Sequence, residues 1–202
     1  MRKLYYLTIS IMFNALGTAL MVKTDLGLTA WGSSAYSVAN YFDLKIGTAF
    51  IILSVVFYIV ACMIMKEFQG VNAILSFAFA FSFGLFVNIF VDIFSGLNIS
   101  SFPLRIIINL LGLYILLFGV AIHLKIKIAL HPMDVYLYAL QKKLKNITLG
   151  TYIAYFTAFI IVVLFGALKG EIVGVGIGTL CTLLLSGIIL NLNDMIVSKL
   201  TI

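Results

Sequence analysis

Charged and imidazole side chains gather at two places in an otherwise apolar sequence: Lys23 and Asp25 at one, His123, Lys125, Lys127, His131 and Asp134 at the other. Charge in or beside a bilayer is costly enough to signal purpose. Asp25 and Asp134 are therefore candidates to line a polar solute's path, against the simpler alternative that they cap helices and mark the membrane boundary. Trp31, the single tryptophan, is either an interfacial anchor or a stacking surface for a solute. Ser33 and Ser34 follow it closely, Tyr138 follows Asp134, Asn88 is a carboxamide deep in an apolar run, and Asn191 is its repeat mate. The candidate solute-binding set is Asp25, Trp31, Ser33, Ser34, Asn88, His131, Asp134, Tyr138 and Asn191.

Other chemistries find little footing. A metal site drawn from His123, His131 and Asp134 would take three ligands from one segment with two lysines between them, a poor pattern, so no metal is expected. There is no His-Glu-x-x-His, no Gly-x-Ser-x-Gly and no Gly-x-x-x-x-Gly-Lys-Ser/Thr loop. The chain is expected not to be an enzyme, to have no catalytic residues or cofactor, and not to hydrolyse ATP.

The elements that must position these residues are set by composition. With 63% hydrophobic residues, 10% charged and a mean hydropathy of +1.20, the chain reads as an integral membrane protein. Six runs are long enough to cross about 30 Å of hydrocarbon: Leu4 to Val22, Gly47 to Met65, Val71 to Phe94, Pro103 to Leu124, Ile147 to Leu168 and Ile172 to Leu192. Short connections leave no room for a soluble domain. Cys62 and Cys181 sit in these runs as small hydrophobes. The first run has a counterpart in Pro103 to Leu124, so it reads as a retained span rather than a cleaved signal.

Nine of the 13 Lys and Arg residues fall on one side if the N-terminus is inside, so a multi-pass cell-membrane protein with both termini cytoplasmic is expected. Topology then explains the net charge of +6, and no nucleic-acid role is implied. The lipid bilayer is the certain partner.

The sequence repeats itself. A shift of 102 places Gly17 on Gly119, Lys23 on Lys125, Asp25 on Lys127, Ala30 on Pro132 and Tyr36 on Tyr138. A shift of 103 then places Gly47-Thr48 on Gly150-Thr151, Lys66 on Lys169, Gly84 on Gly187 and Asn88 on Asn191. The halves are residues 1–98 and 99–202. Each holds three spans and one short two-faced helix, about 30–42 and about 132–145. In the first, Trp31, Ala35, Val38 and Phe42 share one face and Ser33, Ser37 and Asn40 another. In the second, Asp134, Tyr138, Gln141 and Lys145 oppose Met133, Leu137, Leu140 and Leu144, with Pro132 at the first helical position. The glycines at 174, 176 and 178 read as a helix-packing face opening the last span.

Three spans per copy is an odd number, so the second copy must enter from the opposite side. The expected fold is an all-α membrane protein: six transmembrane helices as two inverted three-helix repeats, each with a broken or re-entrant short helix after its first span.

The pattern Gly17-Thr-Ala-Leu followed by Asp25-Leu-Gly27-Leu-Thr-Ala-Trp31, with Gly119 and Pro132-Met-Asp134 in the second half, resembles the YczE/YyaS/YitT group of bacterial membrane proteins, most of all its YczE branch. The likeness covers nearly the whole chain. Ala30 and Gly32 flank Trp31 where Pro-Trp-Asp is usual in that group, so a two-carboxylate mechanism is not implied. The resemblance implies membrane location and suspected transport.

Architecture and resemblance together lead to a small-solute transporter with a central site between two inverted repeats, driven by a gradient or a partner protein. The alternatives are an accessory or scaffold protein without a solute, and a substrate-capture subunit of a multi-component importer. The expected partners are an unidentified small-molecule solute and a second copy of the chain or a membrane partner subunit.

Overall fold

The computed structural model describes residues 2–67, 70–126, 128 and 130–199. Among them eight α-helices and no strand occur: α1 (Arg2–Thr24), α2 (Ala30–Phe42), α3 (Ile46–Met65), α4 (Gly70–Ile93), α5 (Phe102–Ile126), α6 (Pro132–Leu144), α7 (Ile147–Lys169) and α8 (Ile177–Val197). Six are long and apolar enough to cross a membrane, and α2 and α6 are the exceptions. At 13 residues each they are about 20 Å long, too short to span. Large apolar side chains cover the outer faces of the long helices, among them Ile74, Phe81, Phe156 and Leu184. The protein is a multi-pass integral membrane protein whose spans contact lipid.

The helices stop where the sequence denies continuation. α2 and α6 end on residues in the left-handed region, Asp43 at φ 52° and Lys145 at φ 51°. α7 ends on Gly170 at φ 85°, the conformation glycine adopts most readily. Asn146 opens α7 by accepting a hydrogen bond from the Leu149 amide.

Packing divides the chain into two compact units, each drawn from both halves of the sequence. The first comprises Met1–Thr29, Leu85–Ile128 and Gly174–Ile202. Within it α1 packs along α5 in antiparallel sense: Gly17 abuts Gly112 and Leu116, while Gly119 abuts Ser10 and Asn14. A Cβ on Gly17 would lie 2.4 Å from the Gly112 carbonyl oxygen, and one on Gly119 2.7 Å from that of Ser10. Lipid gives apolar helices no hydrophobic reason to associate, so such close backbone approach supplies the contact. α8 packs on α5, closing a cluster of Ala121, Ile122, Ile126 and Val197.

The second unit comprises Ala30–Gly84 and Ala129–Val173. Each short helix packs on both α3 and α7. α7 receives them on a stripe of mostly small residues, Gly150, Ala154, Ala158, Val162 and Gly166. Gly84 of α4 lies against Gly47 of α3, with Phe83 and Phe50 in edge contact beside them.

Two expectations need correction. The last span begins at Ile177, not Ile172. Residues 171–176 form a non-helical strap in which Gly174 takes φ 75° and Gly176, in extended conformation, lies against the Leu26 backbone, so two of the three alternate glycines precede the helix rather than opening its packing face. In α2, Ser33 and Ser37 are buried together with Ala35 and Val38, whereas Phe42 is exposed. Serine costs little to bury because its hydroxyl can bond within its own helix, as Ser34 does to the Trp31 carbonyl.

Candidate functional site

In the first unit the break after α1 is held by backbone pairing. Asp25 takes φ 51° and Gly27 φ 108°, and the chain then runs beside the strap. The Leu28 amide donates to the Gly174 carbonyl at 3.0 Å and the Gly178 amide to that of Leu26 at 2.7 Å. These bonds satisfy polar groups that lipid could not. The carboxamide of Asn109, 2% exposed, donates from Nδ2 to Thr24 Oγ1 at 2.8 Å and to the Gly27 carbonyl at 3.1 Å. Arg105 donates from Nε to the Thr24 carbonyl and from Nη2 to that of Asp25, and its Nη2 lies 3.8 Å from the Asp25 carboxylate.

Asp25 is thus tied to Arg105 at the end of α1, with its side chain largely exposed. The other candidates in this unit are Asn88, half-buried on α4, and Asn191, exposed on α8. The fully buried carboxamide of α8 is Asn193, which donates to the Tyr114 carbonyl at 3.4 Å. Lys127 lies outside the described residues.

Asn109 and Arg105 escaped the sequence reading as site residues. The available signal was an amide and a cation in the first turns of an apolar span, where an antiparallel α5 meets the end of α1.

The second unit holds the other six candidates. Trp31, Phe57 and Tyr136 form an aromatic triad, with ring centroids 5.0 Å apart for Trp31–Phe57, 4.8 Å for Phe57–Tyr136 and 6.3 Å for Trp31–Tyr136. The Tyr136 hydroxyl pairs with that of Thr157 at 3.0 Å. His131 caps α6: its Nδ1 accepts from the Met133 amide at 3.3 Å, and Phe79 and Phe83 flank the ring. Ser33 and Ser34 are buried in the packing of α2, and Tyr138 is exposed.

Asp134 stands in the first turn of α6 and is half-buried. No hydrogen bond or ion pair reaches its carboxyl among the described residues. Surrounding protein raises it from the ordinary carboxylate range to about 6, against the pull of the helix N-terminus toward the anion. α6 itself lies outside the six spans.

The short helices lie toward opposite ends of α7. The last turn of α2 sits by Phe165, through Tyr41 and Phe42. That of α6 sits by Gly150 and Thr151, where Gln141 Nε2 donates to Thr151 Oγ1 at 3.0 Å. Their first turns meet at Trp31 and Tyr136. Thr157, the Tyr136 partner, is about 15 Å along α7 from its start, well inside the span. The arrangement presents an aromatic surface, a capping imidazole and an unpaired carboxyl on one unit.

No solved structure matches the chain. It is 25% identical over 199 residues to the uncharacterized protein YyaS of Bacillus subtilis (strain 168), an alignment covering 98% of this chain and 95% of that relative. A family match extends over residues 1–194, and the chain belongs to the family of unknown function DUF6198.

Proposed function

We propose that the protein is a small-solute transporter of the cell membrane, built of two inverted three-span repeats with cytoplasmic termini and placed in the YczE branch of its relatives. The observation that carries this reading is the meeting of two half-length helices, one from each half of the sequence, at Trp31 and Tyr136 beside the middle of α3 and α7. Re-entrant helices that meet first turn to first turn expose backbone amides and side chains to a solute at mid-depth.

Repeat mates that make matching bonds support the inversion. Lys23 Nζ donates to the Ser95 carbonyl at 2.9 Å, and its mate Lys125 donates to that of Ser198, the mate of Ser95, at 2.9 Å. Gly17 meets Gly112, the mate of Ser10, while Gly119 meets Ser10 itself. Reciprocal contacts of this kind are what a two-fold relation produces. α2 packs on α7 as α6 packs on α3.

Trp31, His131, Asp134 and Tyr138 are the residues proposed to serve the solute, joined by Tyr136. Asp25, Ser33, Ser34, Asn88 and Asn191 are assigned lesser roles, as a helix-end ion pair and packing groups. Transport would draw on a gradient or a partner.

The test is thermal stability of purified protein across a panel of metabolites and ions. A ligand at a hundred times its dissociation constant stabilises the folded state by about 2.7 kcal/mol. The expected result is a shift for one chemical class that is lost in Trp31→Ala and reduced in Asp134→Asn. A broad panel with no shift would favour the accessory reading.

A further inference from the structure

We propose that the Asp134 carboxyl is a proton-binding site, and that the proton taken up there is the coupling ion of the transporter. The role as coupling ion rests on the transport reading above; the binding of a proton does not. The step is a simple one: the carboxylate of Asp134 accepts a proton at one oxygen and becomes neutral carboxylic acid, and it loses that proton in the other state.

Three features of the geometry point to it. Asp134 stands in the first turn of α6, the end of that helix nearest the α2 start, and its carboxyl lies close enough to the Tyr155 phenol of α7 for the two to interact electrostatically. No hydrogen bond or ion pair reaches its carboxyl among the described residues, in contrast to Asp25, which pairs with Arg105, and Asp43, which pairs with Lys169 at 3.1 Å. Finally, no ion pair reaches it from a Lys, Arg or His among the described residues. The titratable groups on the elements packed against α6 are Tyr152, Tyr155 and Lys169 on α7 and Tyr58 and Cys62 on α3; Lys169 closes the far end of α7, where it pairs with Asp43. On α6 itself they are His131, Tyr136 and Tyr138, with Lys142 and Lys143 on the last turn. Lys142 is two turns from Asp134, about 12 Å along the axis.

An enclosed carboxylate without a counter-charge favours its neutral form. The positive end of the helix pulls the other way, and the balance leaves the group near 6. A group so much closer to neutrality than an ordinary carboxyl can gain and lose its proton near physiological pH. A metal cation is a poorer occupant: hard cations need several oxygen ligands, and no group of three His, Cys, Asp or Glu occurs among the described residues. His131 is a poorer proton acceptor, because its Nδ1 already accepts the Met133 amide and protonation there would break the cap of α6.

Trp31, the only tryptophan, packs on Tyr136 two residues beyond Asp134 and reports on this helix. The experiment titrates its fluorescence from pH 4 to pH 9 in purified wild type, Asp134→Asn, His131→Gln and Asp25→Asn. In parallel, infrared difference spectra follow the protonated carboxyl band. The expected result is one transition near pH 6 in wild type, His131→Gln and Asp25→Asn, absent from Asp134→Asn, with a carboxyl band of the same midpoint. Should Asp134→Asn not fold, Asp134→Glu must keep the transition and move the band. A transition that survives in Asp134→Asn, one that vanishes in His131→Gln, or a wild type with no carboxyl band of that midpoint overturns the proposal. No solute enters the experiment, so its outcome is independent of the ligand panel.

Discussion

Replacing Gly17 with alanine puts the α1–α5 crossing under direct strain. The added Cβ would lie 2.4 Å from the Gly112 carbonyl oxygen, 2.5 Å from the Leu116 amide nitrogen and 2.7 Å from the Leu116 Cβ, all parts of α5 that cannot swing aside. Relief requires the helices to part by about 1 Å, and a gap of that size forfeits a quarter to a half of the dispersion energy of each contact along the crossing. Overpacking of this kind costs about 1–3 kcal/mol. The gain in helix propensity from Gly to Ala returns about 1 kcal/mol, so the net loss is about 0–2 kcal/mol against wild type and about 1–3 kcal/mol against an unhindered Gly→Ala elsewhere. In a chain of this length the latter corresponds to about 2–12 °C in Tm.

Gly119→Ala meets the Ser10 carbonyl oxygen at 2.7 Å in the same interface and should behave alike. Once one substitution has parted the helices, the other has less to disturb, so the double variant should lose less than the sum. Gly187 is the control, since nothing lies within 4 Å of the position its Cβ would take. Thermal unfolding in detergent, followed by circular dichroism, reads all four proteins. If Gly17→Ala is as stable as Gly187→Ala, the crossing is not as close as described.

Gly27→Ala combines a φ of 108° with a Cβ 2.4 Å from Thr179 Oγ1, and should cost more than about 2 kcal/mol, read as lost folded yield and lower Tm. Lys23→Met and Lys125→Met each remove a cation from a helix C-terminus, and each should cost about 0.3–1 kcal/mol, with the larger loss at Lys125, which donates to the Val197 carbonyl as well as to that of Ser198. Asp134 has a folded value raised to about 6 above an ordinary 3.8, so its favourable contribution is complete below about pH 4 and disappears as pH rises through 6. Tm plotted against pH should therefore fall less steeply between pH 4 and pH 7 for Asp134→Asn than for wild type; parallel curves would show that the carboxyl is not buried as described.

Hydropathy made the six spans legible, and the charged and glycine-rich breaks placed α2 and α6 to within a residue. The start of α8 was not legible for a physical reason. Ile172, Val173 and Val175 are as apolar as any span, and long-range bonds, from the Leu28 amide to the Gly174 carbonyl and from the Ser37 hydroxyl to the Val173 carbonyl, hold that segment out of a helix. Burial of the α2 serines also ran against the pattern, because a small hydroxyl that bonds its own helix suits close packing in lipid better than an exposed face. The repeat offset led to Asn191, whereas rotation along α8 buries Asn193 two residues on. Asn109 and Arg105 became site residues only through the antiparallel register of α1 and α5, which sequence spacing does not reveal.

The inversion of the two repeats is tested most directly by labelling their matching ends. With Cys62 and Cys181 replaced by serine, Asp43→Cys and Lys145→Cys place single thiols at the left-handed residues that end α2 and α6. In sealed vesicles of known orientation, a membrane-impermeant maleimide should reach Asp43→Cys from outside only and Lys145→Cys from the cytoplasmic side only. Labelling of both from the same side would contradict the inverted arrangement.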